Sequence, residues 1–539
     1  MSKQDVNILS PVYTDGPRPH YQAITARHEE NAKVSIYKTP DRVIPVIFLP
    51  GVMGSNLQDN KTKAQVWTVD SIYSVAGWIN KGPEARKILL NPGDTEVNSG
   101  GKVVQESTLE RTMFHSRFSR GWGEVGAMSY GTFLPWLQAA LNDHQELINH
   151  RTEGKGKKTP REQLIAGITD SAVEGVRLMT DEVGLSYKYL FPVHAVGYNW
   201  LQSNKDSAQR LKEQVEKIVL NYKAAGLGCE KVILVTHSMG GLVARYYSEI
   251  LGGRDRILGI VHGVMPDLGA PMAYKRMKTG EAGSAGMVIG ANGAEMTAVL
   301  AQSPGPLQLL PGTHYGSGWL KVEGMQQGLP KAADPYSDIY LERSAWWGLC
   351  EERFINPENK AMDKRMLDND WKDYDLLVQS KVKPVIEELH GHYHSCTYAF
   401  YGSDESKYPS YATLHWKDTS YKIFRGPESQ PAVEKGMIFY PPQHYNQTVR
   451  YAAFVPPEGK TVVKEFTLLP PQDAGDGTVP VRAAVIPARC VQAQTGLSVD
   501  HEGAYKEQDN GGIDSYWFTL WSIVKIAQEI KKTGLAYAE

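Results

Sequence analysis

Cysteine is scarce in this chain of 539 residues, which contains only Cys229, Cys350, Cys396 and Cys490. The four lie far apart and form no C-x-x-C pair, which argues against a disulfide scaffold or a structural zinc site and favours buried free thiols. An excess of charge is also lacking, since 58 lysines and arginines face 60 acidic residues. This balance gives no sign of nucleic-acid binding.

Long apolar runs are absent as well. No stretch of about 20 apolar residues occurs, so no membrane-spanning helix is expected. The segment Met1 to Gln22 is polar, contains three prolines and lacks the charged-then-apolar pattern of a secretory signal. We therefore expect synthesis in the cytoplasm without a signal peptide, and export, if it occurs, by a route that needs none.

What the sequence does contain is the alternation of strands and helices that is typical of a doubly wound, mostly parallel sheet. Short apolar, β-branched runs predict buried strands, and the amphipathic segment 206–222 predicts a helix that ends at a glycine pair. The predicted order is strand 42–49, strand 191–198, helix 206–222, strand 231–235, helix 241–250 and strand 256–264.

The same pattern suggests how the chain is divided. We predict an N-terminal extension at 1–41, a core at 42–60, 191–275 and 396–539, a mixed region of core helix and insertion at 61–190, and a cap or lid at 276–395. The glycine-rich stretch 280–294 fits either a mobile flap or a tightly packed loop. The apolar segment 515–530 predicts a helix, either buried between sheet and cap or membrane-seeking.

The segment Val232 to Gly241 carries the strongest chemical signal. A buried strand runs into a turn that holds Ser238 and then into a helix, which is the context of a nucleophile elbow in the α/β-hydrolase fold. Gly240 provides the small residue that close helix packing requires, whereas Thr236 stands where the G-x-S-x-G pattern has glycine. The alternative is an ordinary helix-capping serine.

A serine nucleophile needs fixed donors for the oxyanion that it creates. We predict that the backbone N–H groups of Met239 and Val52 serve as these donors, the second from the glycine-rich loop 50–55. Gly51 and Met53 of this loop are our candidates for substrate contact. A plain glycine turn after a strand is the alternative interpretation.

In this fold the acid and the base follow the nucleophile in the chain. Asp476, in a glycine-flanked loop, and His501 are the predicted partners of Ser238: the histidine moves the proton and the aspartate orients the imidazole. Asp473 or Asp267 as the acid and His262 as the base are alternatives. His237 should point away from the serine hydroxyl.

Three alternating histidines, His390, His392 and His394, would share one face of an extended chain and could ligate a metal. A polar strand or loop explains the same pattern, and we assign no metal. The predicted ester chemistry requires no cofactor, and none is predicted.

Seven patches, in this order, resemble the lecithin:cholesterol acyltransferase and GPI inositol-deacylase branch of the lipid-acting α/β-hydrolases. They are 49–57 (LPGVMGSNL), 197–200, 234–245, 265–271 (MPDLGAP), 303–311 (SPGPLQLLP), 397–402 and 475–480 (GDGTVP). The resemblance implies a triad of Ser238, Asp476 and His501, with oxyanion donors at Val52 and Met239. Two positions depart from the family pattern, Thr236 in the elbow and Asn199 where a Y-D-W motif has aspartate.

The chain also resembles the antibacterial phospholipase effectors that are delivered by type VI secretion. That resemblance implies a membrane phospholipid substrate, an immunity protein and a secretion-apparatus partner, and action at the membrane or periplasm of a target cell. Together these features predict a carboxylic-ester hydrolase, a lipase or phospholipase that works through an acyl-enzyme. The alternatives are an acyltransferase or small-ester esterase with the same triad, or a non-catalytic hydrolase-fold binding module.

Overall fold

The computed structural model describes residues 7–9, 34–36, 40–71, 77–143, 158–166, 178–420, 436–439, 448–455, 461–506 and 513–537. Most of the predicted N-terminal extension at 1–41 lies outside the described residues. Its two short strands pair with each other in parallel. Within the described part, no helix has the length and apolar character needed to cross a bilayer.

The strands are numbered here in chain order. They are β1 (Asn7–Leu9), β2 (Val34–Ile36), β3 (Val46–Leu49), β4 (Leu57–Asp59), β5 (Gln65–Trp67), β6 (Thr95–Val97), β7 (Val193–Ala195), β8 (Val232–His237), β9 (Ile257–Gly263), β10 (Leu320–Val322), β11 (Thr397–Gly402), β12 (Leu414–Asp418), β13 (Met437–Phe439), β14 (Val449–Phe454), β15 (Val462–Leu468) and β16 (Ala493–Leu497).

The described α-helices are Pro83–Leu89, Thr108–Met113, Ala127–Tyr130, Phe133–Leu141, Pro160–Gln163, Thr180–Ser186, Asn204–Ala224, Gly240–Arg245, Pro271–Thr279, Gly283–Ile289, Gly293–Leu300, Pro304–Leu307, Glu352–Ile355, Lys364–Leu377, Lys383–Leu389, Val481–Ala484 and Ile513–Ile526. Single π-helical turns follow at Tyr246–Ile250, Tyr336–Tyr340 and Val378–Val382. Short 3₁₀ turns lie at Trp122–Glu124, Leu164–Ala166, Arg254–Arg256, Thr313–Tyr315, Ala488–Cys490, Glu502–Tyr505 and Ala527–Lys532.

The core of the fold is a six-stranded sheet in the order β16-β11-β9-β8-β3-β7. Every strand pair in it is parallel. Strands β8 and β9 are buried along their whole length because helices cover both faces, which explains their nearly continuous apolar sequences. The predicted α/β-hydrolase architecture is confirmed, with the carboxyl ends of the strands meeting at one edge.

The helices that cover this sheet form for reasons visible in the sequence. The helix Asn204–Ala224 is capped by the Ser203 hydroxyl, which accepts from the N–H of Lys205. Its face with Leu211, Val215 and Tyr222 is buried. On the other face of the sheet, the helix Ile513–Ile526 packs Phe518 and Trp521 into the core. The predicted segment 515–530 is therefore a buried helix.

A second sheet, β10-β12-β15-β14-β13, stands apart from the core sheet. Our assignment of all of 396–539 to the core was wrong for 414–468, because these residues supply four of the five strands of this second sheet. The reason lies in the packing: Trp416 and Phe466 contact Trp346 of the predicted cap, with ring centroids 5.5 and 4.4 Å apart, respectively. The strands β12 to β15 thus pack with the predicted cap rather than with the core sheet.

Part of the region 61–190 packs against the core. A small antiparallel sheet forms from β5, β4 and β6. The helix Phe133–Leu141, predicted at 132–142, buries Phe133 and Leu137 completely against the core. The stretch 280–294 forms the short helix Gly283–Ile289 and the start of the next one.

Candidate active site

Ser238 lies at the point where β8 ends and the helix Gly240–Arg245 begins. Its φ of 51° places a non-glycine residue in the left-handed region, which is the backbone strain expected of a nucleophile elbow. A Cβ added at Gly240 would come within 2.6 Å of the carbonyl oxygen of Pro50. The close packing of the turn on β3 therefore requires glycine at position 240.

The three residues predicted as a triad form one chain of hydrogen bonds. The Nε2 of His501 lies 2.8 Å from the Oγ of Ser238, and its Nδ1 lies 2.8 Å from Oδ2 of Asp476. The other carboxylate oxygen of Asp476 accepts from the N–H groups of Thr478 and Val479, at 2.9 and 2.6 Å. Asp476 is thus fixed as a hydrogen-bond acceptor toward the imidazole.

The alternatives considered for the acid and the base lie elsewhere. Asp267 pairs with Arg245 and accepts from the hydroxyl of Tyr393. Asp473 accepts from the N–H of Ala412. His262 shares a hydrogen bond with Thr236, 2.9 Å between Nδ1 and Oγ1.

His237 connects the loops around the serine. Its Nε2–H donates to the carbonyl of His501 at 2.8 Å, and its Nδ1 accepts from the hydroxyl of Tyr130 at 2.8 Å. That hydroxyl in turn accepts from the N–H of Gly51 at 3.0 Å. Burial, aided by the neighbouring His501, lowers the pKa of His237 to about 3, so its ring is neutral and the donor pattern is fixed. The sequence contained no signal for the role of Tyr130.

The loop 50–54 lies directly against the nucleophile. A Cβ at Gly51 would lie 3.1 Å from Cβ of Ser238, and the turn is closed by the N–H of Gly54 donating to Gly51. The hydroxyl of Tyr198 donates to the carbonyl of Pro50 at 2.7 Å. Within the described residues, the N–H groups of Val52 and Met239 have no protein acceptor. Both are therefore available to an oxyanion.

A cleft of about 750 Å³, including its open mouth, contains Ser238 and His501. Most of its wall is apolar, with Val52 and Met53 from the loop beside the nucleophile. Gly51, the other predicted substrate contact, is not among the residues that line the cleft. The remaining lining residues are Pro266, Ala270, Ala273, Arg276, Met277, Ile289, Met296, Leu300, Pro306, Leu307, Leu309, Leu310, Thr478 and Val479.

The two departures from the expected motifs have structural partners. Thr236 is fully buried, and its hydroxyl lies against His262 on the neighbouring strand β9. The amide of Asn199 donates to the carbonyl of Thr95 at 2.9 Å, and its Oδ1 accepts from the N–H of Leu201. Asn199 thus binds the first residue of β6. This hydrogen bond needs the amide N–H of asparagine, which aspartate lacks.

The three alternating histidines do not lie in a strand. They follow the helix Lys383–Leu389, where His390 stacks on His314 with ring centroids 3.4 Å apart and His394 accepts from the N–H of Cys396. Across the part of the chain that the structure describes, no group of three or more His, Cys, Asp or Glu side chains has the geometry of a metal site.

Burial of histidines has a consequence for stability. Burial lowers the pKa of His262 to about 3 and that of His194 well below its usual value, and nearby charges add a smaller effect in the same direction. Below pH 6.5 these histidines are protonated in the unfolded chain but stay neutral in the folded protein. The free energy of unfolding should therefore fall as the pH is lowered from 6.5 toward 3. Each such histidine contributes a slope of up to about 1.4 kcal/mol per pH unit.

Urea unfolding at several pH values between 7.5 and 4.5 would measure this slope. A His262→Gln variant should show a shallower decline than the unmodified protein, because one buried titrating group has been removed. Parallel declines in the two proteins would contradict the assignment of a neutral His262.

Two comparisons with known proteins found matches to this chain. The family model of lecithin:cholesterol acyltransferase matches residues 184–502, a range that contains the three residues predicted as a triad. A chain in the crystal structure of the Tle4–Tli4 complex is 29% identical, with a TM-score of 0.71, over 90% of this chain and 98% of that one. No curated protein gave a match. The chain is therefore an acyl-ester hydrolase or acyltransferase with the α/β-hydrolase fold, and it belongs to the lecithin:cholesterol acyltransferase family.

Proposed function

We propose that the protein is a phospholipase that hydrolyses acyl esters of membrane lipids, with Ser238 as the nucleophile. The observation that carries this proposal is the hydrogen-bonded series Ser238–His501–Asp476 at the wall of an apolar cleft. A serine becomes nucleophilic when an adjacent base can take its proton, and this geometry provides that base.

The reaction follows from the positions of these groups. Oγ of Ser238 attacks the acyl carbonyl carbon while Nε2 of His501 takes its proton, and the anionic oxygen is stabilised by the N–H groups of Val52 and Met239. The imidazolium then protonates the leaving alcohol as its bond to the acyl carbon breaks. Water, deprotonated by His501, attacks the acyl-enzyme, and the fatty acid leaves with Ser238 restored.

The shape of the cleft supports a lipid rather than a small polar ester. Apolar side chains such as Met277, Ile289 and Leu300 line the same cleft as the nucleophile. Burial of an acyl chain there is favourable by about 0.8 kcal/mol for each CH₂ group removed from water. A short, water-soluble ester would leave most of this surface without a partner.

A defined panel of phospholipids, with products identified by mass spectrometry, tests this function. Release of free fatty acid and a lysolipid by the wild-type protein is the expected result, and the position of the lost chain gives the regiochemistry. Adding a long-chain alcohol distinguishes an acyltransferase, which would transfer the acyl group to that alcohol. Folded protein that releases no acyl group from any lipid in the panel would contradict the proposal.

Tyr130→Phe should lower kcat by about tenfold and change KM little, since one buried hydrogen bond is worth about 1 to 1.5 kcal/mol. The variant removes the hydroxyl that is hydrogen-bonded to both Gly51 and His237. Both the loop 50–55 and the ring of His237 should therefore be held less firmly. Tyr189→Phe is the matched control, because that buried hydroxyl bonds to the carbonyl of Leu535 away from the site. Equal kcat values for the two variants would exclude this positioning role.

We further propose that the enzyme acts as an antibacterial effector held inactive by an immunity protein. The similarity to a chain crystallised in the Tle4–Tli4 complex, over nearly the whole of both chains, supports this proposal. The effector would leave the producing cell by type VI secretion and act at the target cell's membrane from the periplasm.

Expression in a bacterial host, directed either to the cytoplasm or to the periplasm, tests the effector role. Growth arrest by the periplasmic wild-type protein, and none by its Ser238→Ala variant, is expected. Normal growth despite confirmed periplasmic protein that is active on lipid in vitro would refute the antibacterial role while leaving the enzymatic function intact.

A further inference from the structure

The wall of the cleft is not uniformly apolar. Among the described residues that line it, Arg276 is the only lysine or arginine. It belongs to the helix Pro271–Thr279, where Ala273, Arg276 and Met277 follow at helical spacing and line the same cleft. The Nη2 of its guanidinium lies 3.4 Å from Oγ1 of Thr478, two residues after Asp476. Arg276 thus lies on the side of the cleft formed by the aspartate loop.

Arg276 shares the carboxylate of Glu281 with Lys275. Glu281 accepts from Nε of Arg276 at 2.7 Å and from Nζ of Lys275 at 2.9 Å. Burial opposes ionisation of Glu281, but these two cations outweigh it and hold the pKa of its carboxyl at about 2. The Nη1 of Arg276 contacts no acceptor within the described part of the chain, and the side chain is 31% exposed.

An amphiphile fits such a surface when its apolar chain and a single anionic group lie close together. The acyl chain would follow the apolar wall, and an anion would lie against the guanidinium, whose planar donors match the oxygens of a phosphate. In a glycerophospholipid the phosphodiester is joined to the same glycerol unit as the acyl esters. A diacylglycerol has the same esters and no anion.

We propose that Arg276 binds the phosphodiester of a glycerophospholipid whose acyl ester lies at Ser238, and so makes the enzyme prefer phospholipids to neutral glycerides. This inference rests on the proposed function and adds a headgroup subsite to it. Glu281 holds the guanidinium in place through Nε, and the Nη groups face the phosphate.

The test compares two lipids with identical acyl chains, dioleoyl phosphatidylcholine and dioleoylglycerol, each at the same surface fraction in neutral detergent micelles. Arg276→Met should lower kcat/KM on the phospholipid by about 10- to 100-fold, the size of a charge-assisted hydrogen bond, and change it by less than about twofold on the glyceride. Arg276→Lys keeps the charge without the planar fork and should give an intermediate loss on the phospholipid.

Lys275→Met is the matched control. Its ammonium bonds to the same carboxylate, but Lys275 does not line the cleft. The ratio of the two kcat/KM values should therefore stay near that of the wild type. Because partial misfolding lowers both kcat/KM values alike, their ratio is insensitive to it. Hydrolysis of 4-nitrophenyl butyrate, a second neutral ester, shows in addition that the catalytic residues still function.

The results separate the inference from the function on which it rests. If wild-type protein hydrolyses esters but Arg276→Met leaves the ratio unchanged, or if Lys275→Met shifts it as much, the headgroup subsite is wrong and the hydrolase remains. If wild-type protein hydrolyses neither the two lipids nor the butyrate, the proposed function itself fails. A selective loss on the phospholipid in Arg276→Met alone supports both.

Discussion

Replacing Ser238 with alanine should lower kcat for ester hydrolysis by about a million-fold, the loss seen when a catalytic serine is removed from a triad. The expected size follows from the proposed mechanism, since the acyl-enzyme forms on Oγ of Ser238. Purified variant and wild-type proteins should be compared on the same phospholipid micelles, with fatty-acid release measured over hours for the variant. Thermal unfolding and circular dichroism would verify that both are folded.

Ser522→Ala is the matched control for this substitution. Ser522 is a buried serine away from the cleft, and its hydroxyl donates to the carbonyl of Phe518 in the C-terminal helix. Its loss should cost about 1 kcal/mol of stability and leave kcat unchanged. Comparable activity of the two alanine variants would remove Ser238 from the chemistry.

Replacing Asp476 with asparagine should lower kcat by about 10⁴-fold while largely preserving the fold. The carboxylate accepts from the imidazole at Nδ1 and from two backbone N–H groups through its other oxygen. An asparagine keeps the oxygen toward the backbone and turns its NH₂ toward His501. The imidazole would then hold its proton on Nε2, where it cannot take one from Ser238.

The control for this second substitution is Asp473→Asn, three residues earlier in the same loop. Asp473 accepts from the N–H of Ala412 and was an alternative for the catalytic acid. We expect kcat within about twofold of wild type, because surface and turn substitutions away from a site change little. If instead Asp473→Asn were the inactive variant and Asp476→Asn the active one, the assignment of the acid would have to be reversed.

The core of this site could be predicted from the sequence because its signals are local. A run of apolar residues followed by Ser238 and Gly240 indicates a strand, a strained turn and a close-packed helix, and the structure has each of them. The chain order of nucleophile, acid and base then favoured Asp476 and His501, with Asp473, Asp267 and His262 left as alternatives. The hydrogen bonds that join them in the structure fit that prediction.

What could not be predicted depends on contacts between distant segments. Tyr130 reaches His237 across 107 positions from a region that resembled an insertion, and an isolated tyrosine carries no mark of such a role. The strands 449–454 and 462–468 alternate as half-buried strands do, but no local pattern determines which sheet a strand joins. They pair with the cap because Trp346 provides the aromatic surface for Phe466.

The histidine series shows a misleading local pattern. Alternation at 390, 392 and 394 would align three rings in a strand, but the preceding helix ends at Leu389 and the chain turns there. The stack of His390 on His314, 76 positions earlier in the chain, is a tertiary contact that spacing cannot indicate. Alternating residues share one face only where the chain actually forms a strand.

Covalent labelling with a fluorophosphonate tests the central claim most directly, because the reagent reacts with a serine only when a neighbouring base activates it. Intact wild-type protein should gain one adduct, peptide mapping should locate it on Ser238, and Asp476→Asn should acquire it far more slowly. Folded protein that gains no adduct, or gains it on a serine other than Ser238, would contradict the account.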